Sequence, residues 1–387
     1  MDASLFIASR LRFKGKIAMI CVAVSFLVMI VAVSIASGFR GELRSSISEI
    51  SGDILISSPD LNIMKDTDPV DASDPCMSYL ESSALVSELV PVVWRAGIVK
   101  QGEDMHGVVL KGIPSGVSDT VSLGVSIPRK LARASGLDVG DRMLTYFIGE
   151  DIKVRQFNIV EVHDALVETD DRYVVYASLS DMQRLNGWSP DHVSAVEVHL
   201  AEGLDSETDI VSATGEIGFI VSAYHENDDL VATSSVSRYP QLFSWISLID
   251  FNVGIILLLM TVVAGFNMIS GLLILLFENI ATIGLLKSLG MNDRAISKVF
   301  LTASARLVGL GMAVGNLLAL AFCILQDMTH VLKLNPENYY VSFVPVDVDF
   351  GMILMADAVS FVVIMLLLLI PCLFISKVDP AQTVRVR

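Results

Sequence analysis

Catalysis or metal binding would need histidines, cysteines or carboxylates grouped at workable spacings, and in this chain of 387 residues they are scattered. The six histidines stand at His106, His163, His192, His199, His225 and His330, and no two have the i, i+4 spacing that sets a zinc pair on one helix face. No metal site is predicted. Cys21, Cys323 and Cys372 fall in long apolar runs and Cys76 stands apart from them, which gives no disulfide framework. The sequence has no Gly-x-Ser-x-Gly elbow, no Cys-x-x-Cys pair and no Gly-x-x-x-x-Gly-Lys-Ser/Thr phosphate loop. His163 and Asp164 are a chance dipeptide at a strand end. The expectation is a non-catalytic chain that binds no cofactor of its own.

Recognition is better represented than chemistry. In ENIATIGLLKSLGMNDRAISKVF, Ile280, Ile283, Leu286 and Leu289 recur every third residue, which predicts a short helix with one apolar stripe. Gly290 is placed for a left-handed C-terminal turn, and Asn292 or Asp293 for capping the helix that follows. Such an elbow either connects two spans along the bilayer surface or docks in a groove on a partner. The docking candidates are Glu278, Asn279, Ile280, Ile283, Leu285, Leu286 and Leu289.

The elements that hold the elbow follow from hydrophobicity. With 53% apolar residues, 18% charged and a mean hydropathy of +0.61, part of the chain must face lipid. Ile17–Ser37 is uncharged and follows Arg10, Arg12, Lys14 and Lys16; it is longer than a signal-peptide core and reads as an uncleaved anchor. Leu248–Phe277, Val299–Leu325 and Gly351–Ser376 complete four spans. The predicted fold is a membrane protein of four transmembrane α-helices, arranged one plus three, with an α+β periplasmic domain between the first and second. Its segments are a cytosolic amphipathic N-terminus (1–16), helix 1 (17–38), the periplasmic domain (39–245), helix 2 (246–277), the elbow (278–298), helix 3 (299–325), a periplasmic loop (326–350), helix 4 (351–376) and a cytosolic tail (377–387). Basic residues gather in the N-terminal flank, the elbow and the tail, so these face the cytosol. Ser45–Ser244 holds thirty-two Asp and Glu against thirteen Lys and Arg, which more than supplies the net charge of −16 and places it outside. So acidic a surface argues against nucleic acid as a partner.

Within 53–223, DILIS, PVVWRAGIVKQ, MHGVVLKGI and SAVEVHL read as strands between Gly, Pro and Asp turns. Helices are expected at IPRKLARASG, closed by Gly136, at SLSDMQRLNG, capped by Ser178 or Ser180 and closed by Gly187, and at Tyr79–Leu89. The acidic stretch from Ser58 to Pro75 reads as a loop. In the spans, Ala264, Asn267 and Gly271 make a small and polar helix face, and Gly311 and Gly315 a Gly-x-x-x-Gly pair, all suited to close helix packing. Arg306 and Asp357 are ionisable groups inside spans, near opposite ends and not expected to pair.

Five ordered stretches resemble the LolC/LolE family of lipoprotein-releasing permeases, within the wider MacB/FtsX-like group of ABC transporter membrane subunits. They are IPRKLARASGLDVGDRMLTYF followed by VRQFNIVEVHD, YVVYASLSDMQRLNG, VAGFNMISGLLILLFENIATIGLLKSLGMNDRAISKVFL, YYVSFVPVDVD and the terminal DPAQTVRVR. The resemblance implies a multi-pass protein of the bacterial inner membrane with both termini cytosolic, and makes the elbow a coupling helix for a separate LolD-like ABC ATPase, which would hold ATP and Mg. It implies a second permease subunit, same chain or paralogue, triacylated lipoprotein as cargo and a periplasmic lipoprotein carrier. Cargo would enter between the first and second spans, near Val31, Ile35, Phe39, Phe243, Ile246 and Phe251. LolC-type subunits carry a Pro- and Met-bearing hairpin that captures the carrier; here Phe147–Val154 is a short FIGEDIKV without either residue. That points to the partner type of subunit, or to a homodimer serving both roles. The competing readings are a MacB-like exporter of a peptide or hydrophobic compound, an FtsX-like regulator of a cell-wall hydrolase, and a membrane-tethered binding protein without energy input.

Overall fold

A computed structural model describes residues 16–63, 68–102, 104–114, 121–147, 149, 152–163, 173–204, 206–224, 229–334 and 343–372. The N-terminal flank, Asp164, His225, half of the connection between Phe147 and Val154, the first four residues of YYVSFVPVDVD and the tail lie outside the described residues. The chain divides into two compact units: residues 42–245 with 335–342, and residues 1–41, 246–334 and 343–387.

The second of these holds the helices of membrane-crossing length and composition, four among the described residues. They are α1 (Lys16–Ser51), which continues beyond the predicted span end at residue 38, α7 (Pro240–Glu278), α9 (Asp293–Thr329) and α10 (Phe350–Leu367) with its one-turn extension α11 (Leu369–Cys372). At 1.5 Å per residue the 39-residue α7 is about 58 Å long, roughly twice a bilayer's hydrocarbon core. Between α7 and α9 lies α8 (Ile280–Ser288). Val22, Phe26 and Ile30 of α1 share one apolar core with Met268 and Leu272 of α7, Phe300 and Val308 of α9, and Ile353 and Ile364 of α10.

The inserted domain is α+β. Its strands are β1 (Ile54–Ser57), β2 (Val70–Asp71), β3 (Val86–Gln101), β4 (Asp104–Ile113), β5 (Gly124–Pro128), β6 (Arg142–Phe147), β7 (Lys153–His163), β8 (Tyr173–Ser178), β9 (His192–Val193), β10 (Ala195–Leu200) and β11 (Val231–Ser234). Interspersed are the helices α2 (Pro75–Glu81), α3 (Arg129–Ser135), α4 (Leu179–Asn186), α5 (Glu207–Tyr224) and α6 (Ser235–Arg238). Nine strands form one sheet in the order β11-β1-β10-β3-β4-β8-β5-β7-β6. The long β3 holds the sheet together. Its first half pairs with β10, its second half with β4, and Ile98 and Val99 also meet Tyr146 and Thr145 of β6, closing six strands into a ring. Alternate residues such as Val93, Val99, Leu110, Phe147 and Phe157 fill the interior.

Gly136 and Gly187 end α3 and α4 in the left-handed region, φ +68° and +75°, as the sequence predicts. Four details differ from expectation. The helix expected at Tyr79–Leu89 is instead α2, which starts four residues earlier and ends at Glu81: Asp74 accepts from the Cys76 amide at 2.8 Å, Pro75 takes the first position, and Val86 to Val92 join β3. The helix α5 was not anticipated. Its Ile210, Ala213, Ile217 and Val221 form a buried helical face, packed with the same core as the sheet. In α4, Ser178 holds the cap position without a side-chain bond to the backbone, its hydroxyl meeting that of Ser180. The acidic stretch after β1 is partly tied down, because Val70 and Asp71 pair with Val193 and His192.

Candidate functional site

The elbow forms because α7 is interrupted at one residue. Asn279 leaves helical geometry (φ −107°, ψ 18°) and its amide donates to the Leu275 carbonyl at 2.9 Å, closing α7 before α8 begins. At the far end Gly290 takes φ +85°, its N–H reaching the Lys287 carbonyl, while the Met291 N–H reaches Leu286. The Asn292 side chain then accepts from the Ala295 amide at 2.8 Å and caps α9, a contact worth about 1 kcal/mol. Lys287 bonds Asp293 at 2.9 Å across the turn. Turn, cap and ion pair fix the angle between α8 and α9.

The expected single stripe of Ile280, Ile283, Leu286 and Leu289 does not exist. A helix advances about 100° per residue, so steps of three drift back by about 60° each and place Ile280 and Leu289 on opposite sides. Ile283, 1% exposed, packs into the helix bundle with the half-buried Leu286 against it. Leu285 (57% exposed) and Leu289 (75%) face outward with Ala281, Thr282 and Ser288. Ile280 is at the margin, Glu278 is exposed and Asn279 half-buried. The outward face is centred on Leu285. A separate groove of about 500 Å³ is lined by Asp293, Arg294, Lys298 and Leu301 of α9 with Met365 and Cys372.

The small-residue positions are helix contacts. A Cβ on Gly315 of α9 would lie 2.5 Å from the Ala23 carbonyl oxygen and 2.9 Å from Phe26 Cβ, both on α1; one on Gly311 would lie 2.8 Å from Val22 Cγ1. Ala264 and Gly271 of α7 are buried and Asn267 half-buried. A position the sequence did not single out, Gly265, abuts Leu367, where a Cβ would come within 2.5 Å of Cδ1. The buried Asp357 of α10 accepts from the Asn316 amide of α9, whereas Arg306 is exposed. Thr261 and Ser360 join α7 to α10 at 2.9 Å.

The six cargo-entrance candidates are not gathered on one open surface. Val31 and Ile35 are half-buried on α1, Phe39 and Ile246 are buried, and Phe251 is 67% exposed; Phe243 belongs to the core of the inserted domain. Near Phe39 and Phe251 in sequence, Arg40 bonds Asp250, an ion pair between α1 and α7. His163, the one member of the His-Asp dipeptide described, shares a 2.8 Å hydrogen bond with Ser126 and packs on Tyr176.

Strong electrostatics lie elsewhere, in the inserted domain. Lys111 of β4 and Glu197 of β10 are 2% and 1% exposed and bond at 2.8 Å. Burial pushes the Glu197 carboxyl up to about 7, against the lowering pull of Lys111 and Arg238, and burial likewise depresses Lys111, partly offset by Glu197. Neither residue is distinguished by a motif. The available signal was a lone charge inside each of the apolar strands MHGVVLKGI and SAVEVHL.

The stretch containing the α7 packing face, the elbow, α9 and α10 matches a known family model, the FtsX-like permease C-terminal. The match spans residues 254–380. Beyond this stretch the similarity to curated proteins runs nearly the whole chain. It is 22% identical over 390 residues to the lipoprotein-releasing system transmembrane protein LolC of Xylella fastidiosa, covering 94% of this chain and 92% of that one. It is also 22% identical over 408 residues to LolE of Haemophilus influenzae, covering 95% and 93%. Among solved structures, the periplasmic region of MacB from Actinobacillus actinomycetemcomitans aligns with 49% of this chain and 91% of its own at 12% identity, with a TM-score of 0.32, too low to establish a shared fold.

Proposed function

We propose that this chain is the permease subunit of an ATP-driven transporter that extracts lipoproteins from the bacterial inner membrane and hands them to a periplasmic carrier. The observation that carries the reading is the match of residues 254–380 to the FtsX-like permease C-terminal model within similarity to LolC and LolE proteins over about 94% of the chain. The elbow supports it. An apolar patch of Leu285 and Leu289, held at a fixed angle by Gly290, Asn292 and the Lys287–Asp293 pair, suits a groove on a cytosolic ATPase. That partner would hold ATP and Mg; this chain contributes the docking face and the helices that move.

Continuity of helices gives the route. A displacement of α8 passes through Asn279 into α7, a single helix from Pro240 to Glu278, and so to α6 and β11. In this reading the acidic domain is periplasmic, the termini and elbow are cytosolic, and a second permease, same chain or paralogue, completes the complex. Cargo acyl chains would enter between α1 and α7 only after the two helices part, because Phe39 and Ile246 are buried and Arg40 bonds Asp250. Reconstituted proteoliposomes test the proposal: with the ATPase and a carrier present, labelled lipoprotein should be released on ATP addition. Equal release from liposomes lacking this chain would refute it.

A further inference from the structure

The last turns of α1 are fastened to the inserted domain by side chains from three other elements, β4, β10 and α6. The Lys111 ammonium of β4 spends its three N–H donors on the Glu49 carbonyl (3.1 Å), the Ile50 carbonyl (2.8 Å) and Glu197 Oε2 (2.8 Å). Its Nζ sits 5.2 Å from the Trp94 ring centroid of β3. Arg238 of α6 donates to the Ser51 carbonyl at 3.2 Å. Arg44 donates to the Leu204 carbonyl at 2.7 Å, and Ser48 bonds His199 at 3.1 Å. The three carbonyls Glu49, Ile50 and Ser51 are at the end of a 36-residue helix, where backbone acceptors lack intrahelical partners and the dipole favours cations.

Only Gly52 and Asp53 separate α1 from β1. Gly52 takes φ +65°, and a Cβ there would come 2.9 Å from Glu197 Cβ. Asp53 binds on three sides: its N–H donates to Val198, its carbonyl accepts from Ser235 at the start of α6, and its carboxylate accepts from the Leu200 amide. The neighbouring strand, β11, leads through α6 into α7. Both long helices that border the domain are therefore attached to adjacent strands, β1 and β11, and Arg238 joins the end of one to the approach of the other.

We propose that Lys111, with Glu197 and Arg238, is a positioning device that makes the C-terminal turns of α1, the sheet edge and α6 one rigid joint, so that helix movement becomes domain movement. A purely stabilising ion pair would not need this arrangement. Packed apolar residues replace buried pairs without loss in many proteins, but they cannot satisfy three helix-end carbonyls. The joint itself is independent of any functional reading; its role in transmission rests on the transporter reading above.

The test uses the full chain in detergent micelles, as the double variant Lys111→Met/Glu197→Gln, which leaves no buried unpaired charge, and separately as Arg238→Gln in case the double variant does not fold. Hydrogen exchange is read by mass spectrometry. Exchange of residues 47–53 should accelerate about 10- to 100-fold, the equivalent of one charge-assisted bond, while peptides covering Val93–Val99 and Val108–Leu110 stay at wild-type rates. Unchanged exchange at 47–53, or an equal rise throughout the sheet, overturns the joint. In proteoliposomes with the ATPase, a loosened joint should retain ATP hydrolysis and lose release; normal release from the loosened variant overturns the transmission role. Absence of release from the wild type would instead be a failure of the transporter reading, and the exchange result would still decide the joint.

Discussion

Replacing Gly315 by alanine adds one methyl group where α9 meets α1. Its Cβ would stand 2.5 Å from the Ala23 carbonyl oxygen, 2.9 Å from Phe26 Cβ and 3.2 Å from the Leu27 nitrogen. Two of those three atoms are backbone and cannot rotate away. Ordinary carbon–oxygen contact needs close to 3.4 Å, so the helices must separate by nearly 1 Å or shift along each other, and overpacking of this kind costs about 1–3 kcal/mol. The internal control is Gly309, six residues earlier on the same helix, where a Cβ would meet nothing within 4 Å. There alanine should be neutral or stabilise by up to ~1 kcal/mol through helix propensity. Reversible SDS unfolding in mixed micelles, followed by tryptophan fluorescence, compares the two. Gly315→Ala less stable than wild type by more than 1 kcal/mol, with Gly309→Ala at or above it, is the expected order. Equal stabilities would refute the close α1–α9 crossing.

Further outcomes follow from the elbow, the polar pair and the buried carboxylate. Ile283→Asp, which buries a charge in the bundle, should destabilise the chain by about 3 kcal/mol or more, whereas Leu285→Asp should stay within about 0.5 kcal/mol in the same unfolding assay and weaken co-purification of the ATPase. Asp357→Leu, which strands the Asn316 amide, should lower stability by about 1 kcal/mol, and Asp357→Asn should not. Glu197, faced by Lys111, Arg238 and Trp94 with Glu49 nearby, has its carboxyl raised from 4.5 to about 7 in the folded domain. A raised value means that its contribution to stability is complete below pH 4.5 and lost as pH rises through 7. Thermal melting of the full chain should therefore show a decline over that window that flattens in Glu197→Gln.

The apolar runs were long enough to reveal every membrane helix found among the described residues, and Gly136, Gly187 and Gly290 marked helix ends because only the left-handed turn suits each position. Gly311 and Gly315 announced close packing but not their partner, which depends on the three-dimensional meeting of α1 and α9. The helix α5 was obscured. Its sequence ETDIVSATGEIGFIVSAY mixes β-branched residues and two interior glycines, so propensity argued against a helix and tertiary packing of Ile210, Ala213, Ile217 and Val221 decided it. On the elbow, apolar spacing every three residues suggested one face, but a helix period of 3.6 divides those residues between the bundle and the outside. Lys111 and Glu197 stand 86 positions apart on strands that flank β3, and no local pattern can bring two side chains together at that distance.

The most direct test of the central claim is ATP-dependent lipoprotein release from proteoliposomes containing this chain, its ATPase and a carrier, with Leu285→Asp/Leu289→Asp as the comparison. The wild type should release labelled lipoprotein only when ATP is supplied, and the outward-face variant, folded and inserted, should release none. Release that needs no ATP, or that proceeds equally in the variant, would contradict the account.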